Sequence, residues 1–287
     1  MAEAAIPVDL FNPGQVFACM GFLEAAEALL GGAEGGFEWD GGASRFLLRS
    51  GGDGSPFAAA LDFLTHAEVR WLSPRAEVAE RDGGKTVVRA GVSVSRDPRP
   101  KDLPGELLLG EVAVPFGFWA DGSGRFNTPF KKSTNGASCH VRWENARRAV
   151  RELGEGAGLA SDPLNASCRT ESLFRLDPRG CVSPIGAGLS PDKLRKGGIA
   201  MRVGAYPACE AMAVIGLTNA RPSVLARGKL LGYCVWSGPL PVALARAAVG
   251  ARGGPWRWRA FVVEHEEVKS GGDRTITNVY EERGHER

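Results

Sequence analysis

Glycine and proline interrupt this chain throughout its length. The sequence contains 39 glycines and 18 prolines. Because these residues favour turns and end regular elements, their frequency predicts many turns and irregular connections between short elements. The segments between the breaks show helical spacing of apolar residues in some places and strand-like alternation in others. We therefore expect an α+β fold with mixed or antiparallel sheets, a few amphipathic helices and irregular Gly/Pro-rich loops.

Start signals and apolar spacing indicate where the elements lie. Asn12 and Pro13 fit the N-cap and first position of a helix, and Ser55 with Pro56 opens a second one. Residues 154–167 are small and Gly-rich and predict a loop. Residues 73–105 are turn-rich, with possible strands at 86–89 and 92–94 and a loop at 96–102. The remaining predictions are helices at 139–151, 207–217 and 241–249, a hairpin at 37–49, and strands at 106–114, 173–176, 230–236, 256–263 and 274–280.

The length of 287 residues suits one large domain or two small ones. We predict a single α+β domain over 1–287, with a possible subdivision into an acidic part, 1–118, and a basic nucleic-acid-binding part, 119–287. No apolar run approaches the roughly 20 residues that span a bilayer, and the N-terminus lacks the cationic start of a secretory signal. We expect a cytoplasmic protein without a membrane partner.

Charge is distributed unevenly along the chain, although the net charge is only +2. Residues 1–120 carry 10 Lys/Arg against 17 Asp/Glu, residues 121–260 carry 21 against 9, and residues 261–287 carry 4 against 7. A basic middle between acidic ends is typical of a protein that binds a polyanion. The alternative is that folding mixes the acidic and basic parts into an ordinary surface.

The most specialised stretch covers residues 119–151. A glycine-rich turn is followed by a basic, amide-rich loop and a predicted helix, with Phe126, Phe130 and Trp143 among the charges. Such side chains and backbone amides bind nucleic-acid backbones. The candidate loop contacts are Arg125, Asn127, Lys131, Lys132 and Asn135. The candidate phosphate ligands on the helix are Arg142, Arg147, Arg148 and Arg151, although a solvated basic helix face is the alternative.

A second basic cluster follows later in the chain. Lys193, Arg195 and Lys196 precede Gly197-Gly198, which gives the cluster freedom to move. We predict that it forms a second clamp on duplex DNA.

Catalytic and metal-binding patterns are absent from the sequence. There is no G-x-S-x-G, H-E-x-x-H or kinase motif, and the chain has only four histidines. The six cysteines, at positions 19, 139, 168, 181, 209 and 234, form no C-x-x-C pair, so we predict ordinary thiols. We expect no enzyme activity, no cofactor and no metal. The least favoured alternative is an unrecognised hydrolase that would use Asp121, His140 or His265.

Several short motifs occur in the same order as in a known protein family. They are the opening I-P-V-D-L-F-N-P-G-Q-V-F-A-C-M-G-F-L-E-A-A (Ile6–Ala26), D-G-S-G-R-F-N (121–127), F-R-L-D-P-R-G (174–180), L-S-P-D (189–192), N-A-R-P (219–222) and G-P-L-P (238–241). In these motifs the chain resembles a small CRISPR-associated protein family of type I-U, now I-G, systems. That family is regarded as the compact counterpart of the large subunit of Cascade, the RNA-guided DNA-surveillance complex.

The resemblance implies a non-catalytic bacterial subunit in antiviral defence. Its expected partners are crRNA, target DNA, the CRISPR backbone subunits and the helicase-nuclease effector, and its expected roles are PAM recognition and R-loop stabilisation. The loop at 132–138 lacks the aromatic residue that the family carries there, so the resemblance implies phosphate contact rather than base stacking for this loop. A different class of function stays open, namely a protein-interaction or scaffold subunit whose basic face meets an acidic partner.

Overall fold

A computed structural model of the chain describes residues 1–40, 42–82, 85–95, 105–117, 130, 139–154, 157–170, 173–180, 203–226, 230–268 and 273–282. The predicted α+β class is confirmed, since helices and antiparallel sheets contribute in roughly equal proportion. The described helices are α1 (Pro13–Leu30), α2 (Pro56–His66), α3 (Cys139–Leu153), α4 (Ala157–Ser161), α5 (Pro207–Asn219) and α6 (Val242–Gly250).

The described strands pair in antiparallel fashion within four sheets, in the orders β1-β3-β2-β12, β10-β11-β13-β14, β5-β4-β6-β7 and β8-β9. Their bounds are β1 (Ala2–Pro7), β2 (Glu34–Asp40), β3 (Ala43–Ser50), β4 (Glu68–Asp82), β5 (Lys85–Ser95), β6 (Gly105–Leu109), β7 (Val112–Phe116), β8 (Cys168–Thr170), β9 (Val203–Ala205), β10 (Ser223–Ala226), β11 (Leu230–Trp236), β12 (Leu240–Pro241), β13 (Trp258–Val268) and β14 (Asp273–Glu281).

Helices α1 and α5 form the centre of the molecule. All residues of α1 from Pro13 to Ala26, and all residues of α5 from Pro207 to Thr218, are buried. A Cβ atom on Gly21 would lie 1.9 Å from the Met212 carbonyl oxygen, and one on Gly216 would lie 2.0 Å from the Phe17 carbonyl oxygen. Each glycine therefore faces the backbone four residues before the other glycine, and the two helices touch along their main chains.

The predicted helix starts are confirmed. The Asn12 side chain accepts a hydrogen bond from the Gln15 backbone N–H at 3.2 Å, and the Ser55 hydroxyl accepts one from the Ala58 N–H at 3.4 Å. Proline occupies the first turn of both helices, where its missing N–H costs nothing. The hairpin at 37–49 and the later helices and strands from 207 onward also form close to their predicted positions.

The possible strands at 86–89 and 92–94 form as parts of β5, which pairs with β4 in a long antiparallel hairpin. Three local predictions are wrong. Residues 173–176 are not a strand, because Arg175 adopts a left-handed φ of 60° that ends extended pairing. The predicted loop at 154–167 contains α4, and the single strand predicted at 106–114 is a hairpin that turns at Gly110.

One hydrophobic core cluster contains buried side chains from both sides of residue 118, including Phe17, Phe116, Trp143 and Trp236. The subdivision at that position stays a prediction. Among the described residues, no helix has both the length and the apolar character of a membrane span.

The α1–α5 contact predicts a large effect of a single added methyl group. We expect Gly21→Ala to lower the free energy of unfolding by about 1–3 kcal/mol or more, because the new Cβ overlaps the backbone of α5. Gly158→Ala is the matched control, since no atom lies within 4 Å of its added Cβ. Urea unfolding followed by circular dichroism measures both variants, and equal stabilities would contradict the close helix contact.

Candidate nucleic-acid interface

One face of helix α3 anchors it to the core. The Trp143 ring stacks on Phe116 with centroids 4.0 Å apart and an angle of 9° between the planes. Ala146 and Val150 are buried on the same side, as their helical spacing predicted. This packing holds α3 against strand β7 of the sheet β5-β4-β6-β7 and determines which arginines of α3 can reach solvent.

Arg147 points inward and closes the end of helix α2. Its Nε donates a hydrogen bond to the Leu64 carbonyl at 2.8 Å, and its Nη2 donates to the carbonyls of Thr65 at 3.2 Å and Ala67 at 2.5 Å. These acceptors lie at a helix C-terminus, where carbonyl groups lack partners within the helix. Burial lowers the pKa of Arg147 from its ordinary value, although the nearby Glu144 opposes this effect.

The burial of two predicted phosphate ligands corrects the sequence-based site. Arg147 is 4% exposed and Arg142 is 2% exposed. A guanidinium that already satisfies helix carbonyls inside the protein cannot contact a phosphate on the surface. The predicted phosphate contacts of Arg142 and Arg147 are therefore wrong, because α3 directs both side chains into the protein.

Arg148 and Arg151 lie on the exposed side of α3. Nη2 of Arg148 donates a hydrogen bond to Asn145 Oδ1 at 2.7 Å. Nε and Nη2 of Arg151 both donate to the Thr65 carbonyl, at 3.0 and 2.6 Å. These contacts orient the two guanidinium groups without neutralising their charge, and the phosphate role of both arginines stays a prediction.

Three arginines on and beside α3 differ from most others in the described residues. Nine described arginines lie within 4.0 Å of a carboxylate, namely Arg45, Arg49, Arg70, Arg147, Arg179, Arg246, Arg252, Arg257 and Arg259. Arg148, Arg151 and Arg169 form no such ion pair with any described residue. Arg169 is exposed on β8, which packs against α3. Uncompensated positive charge is thus found on and beside this helix.

A buried polar network lies at the N-terminal ends of the two central helices, and the sequence analysis missed it. Asp177 is fully buried and accepts hydrogen bonds from Asn12 Nδ2 at 2.9 Å and from Arg179 Nη2 at 2.6 Å. The Arg179 guanidinium also lies 3.7 Å from the centre of the Tyr206 ring. Burial disfavours the charged form of Arg179, but the hydrogen bonds and charge of Asp177 outweigh it, so its pKa is raised.

A second carboxylate completes this network. Glu210, in the first turn of α5, accepts hydrogen bonds from the backbone N–H groups of Leu176 at 3.1 Å and Asp177 at 3.0 Å. A Cβ on Gly14 would lie 2.6 Å from the Leu176 carbonyl oxygen, so the loop lies directly against α1. The sequence does contain one signal that could have indicated this network. The polar residues Asn12, Gln15 and Glu210 occur at or in helices that are otherwise apolar.

The flanks of the two predicted basic segments lie at the same end of α1. Phe130, which precedes Lys131 in sequence, packs on Phe17 with ring centroids 5.3 Å apart. The loop that precedes residues 181–202 lies against Gly14, one helical turn earlier. The predicted contacts Arg125, Asn127, Lys131, Lys132, Asn135, Lys193, Arg195 and Lys196 themselves lie outside the described residues.

The thiols of known position are free, as predicted. Cys19, Cys209 and Cys234 are buried and Cys168 is partly buried. Burial raises the pKa of Cys19 and Cys209 well above the ordinary value and raises that of Cys234 to about 11, so these thiols stay protonated at neutral pH. Cys139 and Cys181, and the side chains of Asp121 and His140, lie outside the description. The described residues contain no cluster of three or more potential metal ligands.

Comparison with known proteins finds no matching family model, no similar curated protein and no similar solved structure.

Arg147 and Arg148 are adjacent in the sequence, yet their positions predict very different effects of substitution on the free energy of unfolding. We expect Arg147→Met to lower the free energy of unfolding by about 2–4 kcal/mol, because it leaves buried carbonyls without donors. Arg148→Met should change it by less than about 0.5 kcal/mol. Chemical unfolding of both variants checks this expectation, and similar losses would contradict the assigned positions.

The buried network predicts a strong dependence on Asp177. Asp177→Ala should cost about 3 kcal/mol of unfolding free energy, because it removes the carboxylate that neutralises Arg179 and satisfies Asn12. The exposed Asp53→Ala provides the control. A thermal or urea transition of the Asp177 variant that coincides with that of the unmodified chain would argue against the network.

Proposed function

We propose that this chain is a non-catalytic, nucleic-acid-binding subunit of a type I CRISPR surveillance complex, and that the exposed face of α3 contacts a sugar-phosphate backbone. The observation that carries the proposal is the group of uncompensated arginines Arg148, Arg151 and Arg169 on and beside this helix. Nine other described arginines have carboxylate partners instead.

Guanidinium groups without protein counter-charges suit phosphate binding for a physical reason. An arginine that already pairs with a carboxylate must lose that partner before it can bind phosphate. An uncompensated arginine instead gains a charge-assisted contact and releases condensed counterions from the nucleic acid. Arg151 is also held in position by two hydrogen bonds to the Thr65 carbonyl, which reduces the side-chain entropy that binding would otherwise cost.

The flanks of the basic segments support the same proposal. Phe130 and the Asp177 loop both pack against the first turns of α1, so described residues that precede each basic segment in sequence lie at the same end of this helix. We propose that Arg125, Asn127, Lys131, Lys132 and Asn135 form one set of contacts. Lys193, Arg195 and Lys196 form the second.

The identity of the nucleic acid and of the other partners rests on the sequence motifs. In this proposal the protein works in the cytoplasm with crRNA, target DNA, the backbone subunits and the helicase-nuclease effector. It contributes to PAM recognition and R-loop stabilisation, while base pairing with the guide reads the target sequence.

Two experiments test the proposal together. Purification of the chain with its genomic neighbours should yield a stoichiometric complex that carries one short RNA species. The affinity of the purified chain for DNA should fall by about 10³–10⁵ between 50 and 200 mM salt if six to ten phosphates are neutralised. A slope near zero and a complex without RNA would contradict the proposal.

Substitution of the uncompensated arginines should change the salt dependence itself. We expect Arg148→Gln together with Arg151→Gln to reduce the slope of log affinity against log salt by about 2, one for each lost phosphate contact. Arg45→Gln is the matched control, since Arg45 is exposed and already pairs with Glu38 at 3.1 Å. If the double substitution abolished assembly while the isolated chain bound no DNA, the face would instead be a protein interface.

A further inference from the structure

A cavity of about 410 Å³ lies between helices α2, α3 and α4. The sequence analysis assigned no role to it. It opens beside Arg151, one of the two exposed arginines of α3. Its lining consists mainly of small aliphatic side chains and a few polar ones: Ala58, Leu61, Asp62, Thr65, His66, Val150, Arg151, Gly154, Leu159 and Ala160.

We infer that this cavity binds one unstacked nucleotide of a single strand, with the base in the cavity and the adjoining phosphate at Arg148 and Arg151. The inference rests on the proposed function and specifies the form of nucleic acid that the α3 face accepts. A base paired and stacked within a duplex cannot enter a cavity between helices, whereas a base of a single strand can turn outward into it.

The size and lining of the cavity fit a base. Its volume lies within the range of about 300–1,000 Å³ that is usual for small-ligand sites. Leu61 and Ala58 on α2 and Leu159 and Ala160 on α4 supply apolar surface. A base presents two flat apolar faces, so burial between such side chains replaces the stacking that it loses on leaving the strand.

Polar groups at the cavity can recognise the edge of the base. Asp62 and His66 both line it, and their Oδ1 and Nδ1 atoms lie 3.0 Å apart. This contact leaves the second carboxylate oxygen of Asp62 as an acceptor for an exocyclic amine, which adenine, cytosine and guanine carry and thymine lacks. The preferred occupant is therefore an amino-bearing base.

The charge at the cavity fits a phosphate rather than a neutral ligand. Arg151 lines the cavity, its guanidinium is oriented by the Thr65 carbonyl, and no described carboxylate pairs with it. Arg148 lies on the same exposed side of α3. One nucleotide supplies both parts that this arrangement binds, since it joins a flat apolar base to an anion.

The test fills the cavity without removing any charge. Ala58→Trp adds a large side chain at an exposed cavity position on α2, and Ala160→Trp adds one independently at a partly buried cavity position on α4. Ala247→Trp on the exposed side of α6 is the matched control. Fluorescence anisotropy of the full chain, at one fixed salt concentration, compares a labelled oligo(dA) strand with a duplex of the same length, and circular dichroism confirms that each variant is folded.

Each cavity-filling variant should weaken single-strand binding about tenfold, because a base excluded from the cavity loses the burial of its apolar faces against the aliphatic lining. Duplex binding should change less than about twofold, the control should change neither, and oligo(dA) should bind the unmodified chain more tightly than oligo(dT). Unchanged single-strand binding, or equal losses for both forms, overturns the inference and leaves the proposed function intact. If the unmodified chain binds neither the single strand nor the duplex, the proposed function itself is contradicted.

Discussion

The close crossing of helices α1 and α5 is the constraint on which the rest of the structure depends. Gly21 and Gly216 bring the two backbones so near that neither position has room for a Cβ atom. Both helices are buried on nearly all sides, so they can be stable only inside layers of other elements. α1 contacts α2, α6, β2, β3 and β7, while α5 contacts α3 and β7. The helices and sheets thus cover a central pair that would be insoluble alone.

The same crossing explains why polar groups meet in the interior. Asn12, the N-cap of α1, and Glu210, in the first turn of α5, direct their side chains to one loop, which supplies Asp177 and the backbone N–H groups of Leu176 and Asp177. Almost every polar group in a protein interior needs a partner, and here each carboxylate accepts hydrogen bonds from named donors. The network fixes the loop around Asp177, which precedes the second basic segment in the sequence.

The arginines of α3 show why a basic helix is not by itself a binding surface. Arg147 and Arg148 are neighbours in the sequence, but one donates to three carbonyls of and just beyond α2 and the other is exposed. The spacing of Trp143, Ala146 and Val150 correctly indicated the core side of α3. It could not show that the end of another helix, about 80 residues earlier, would need the donors of Arg147. Only the two exposed arginines of this helix remain candidates for phosphate contact.

The sequence by itself determined the elements whose signals are local. Asn12-Pro13 and Ser55-Pro56 start helices because a cap and a proline act within one turn, and alternation was enough to place β11, β13 and β14 near their observed positions. The tertiary structure alone decided the inward position of Arg147 and the contact of Asn12 with Asp177, 165 residues away. The physical reason is range. Caps and turns are satisfied by neighbours in the chain, whereas strand partners and buried polar partners come from distant segments that only the folded core brings together.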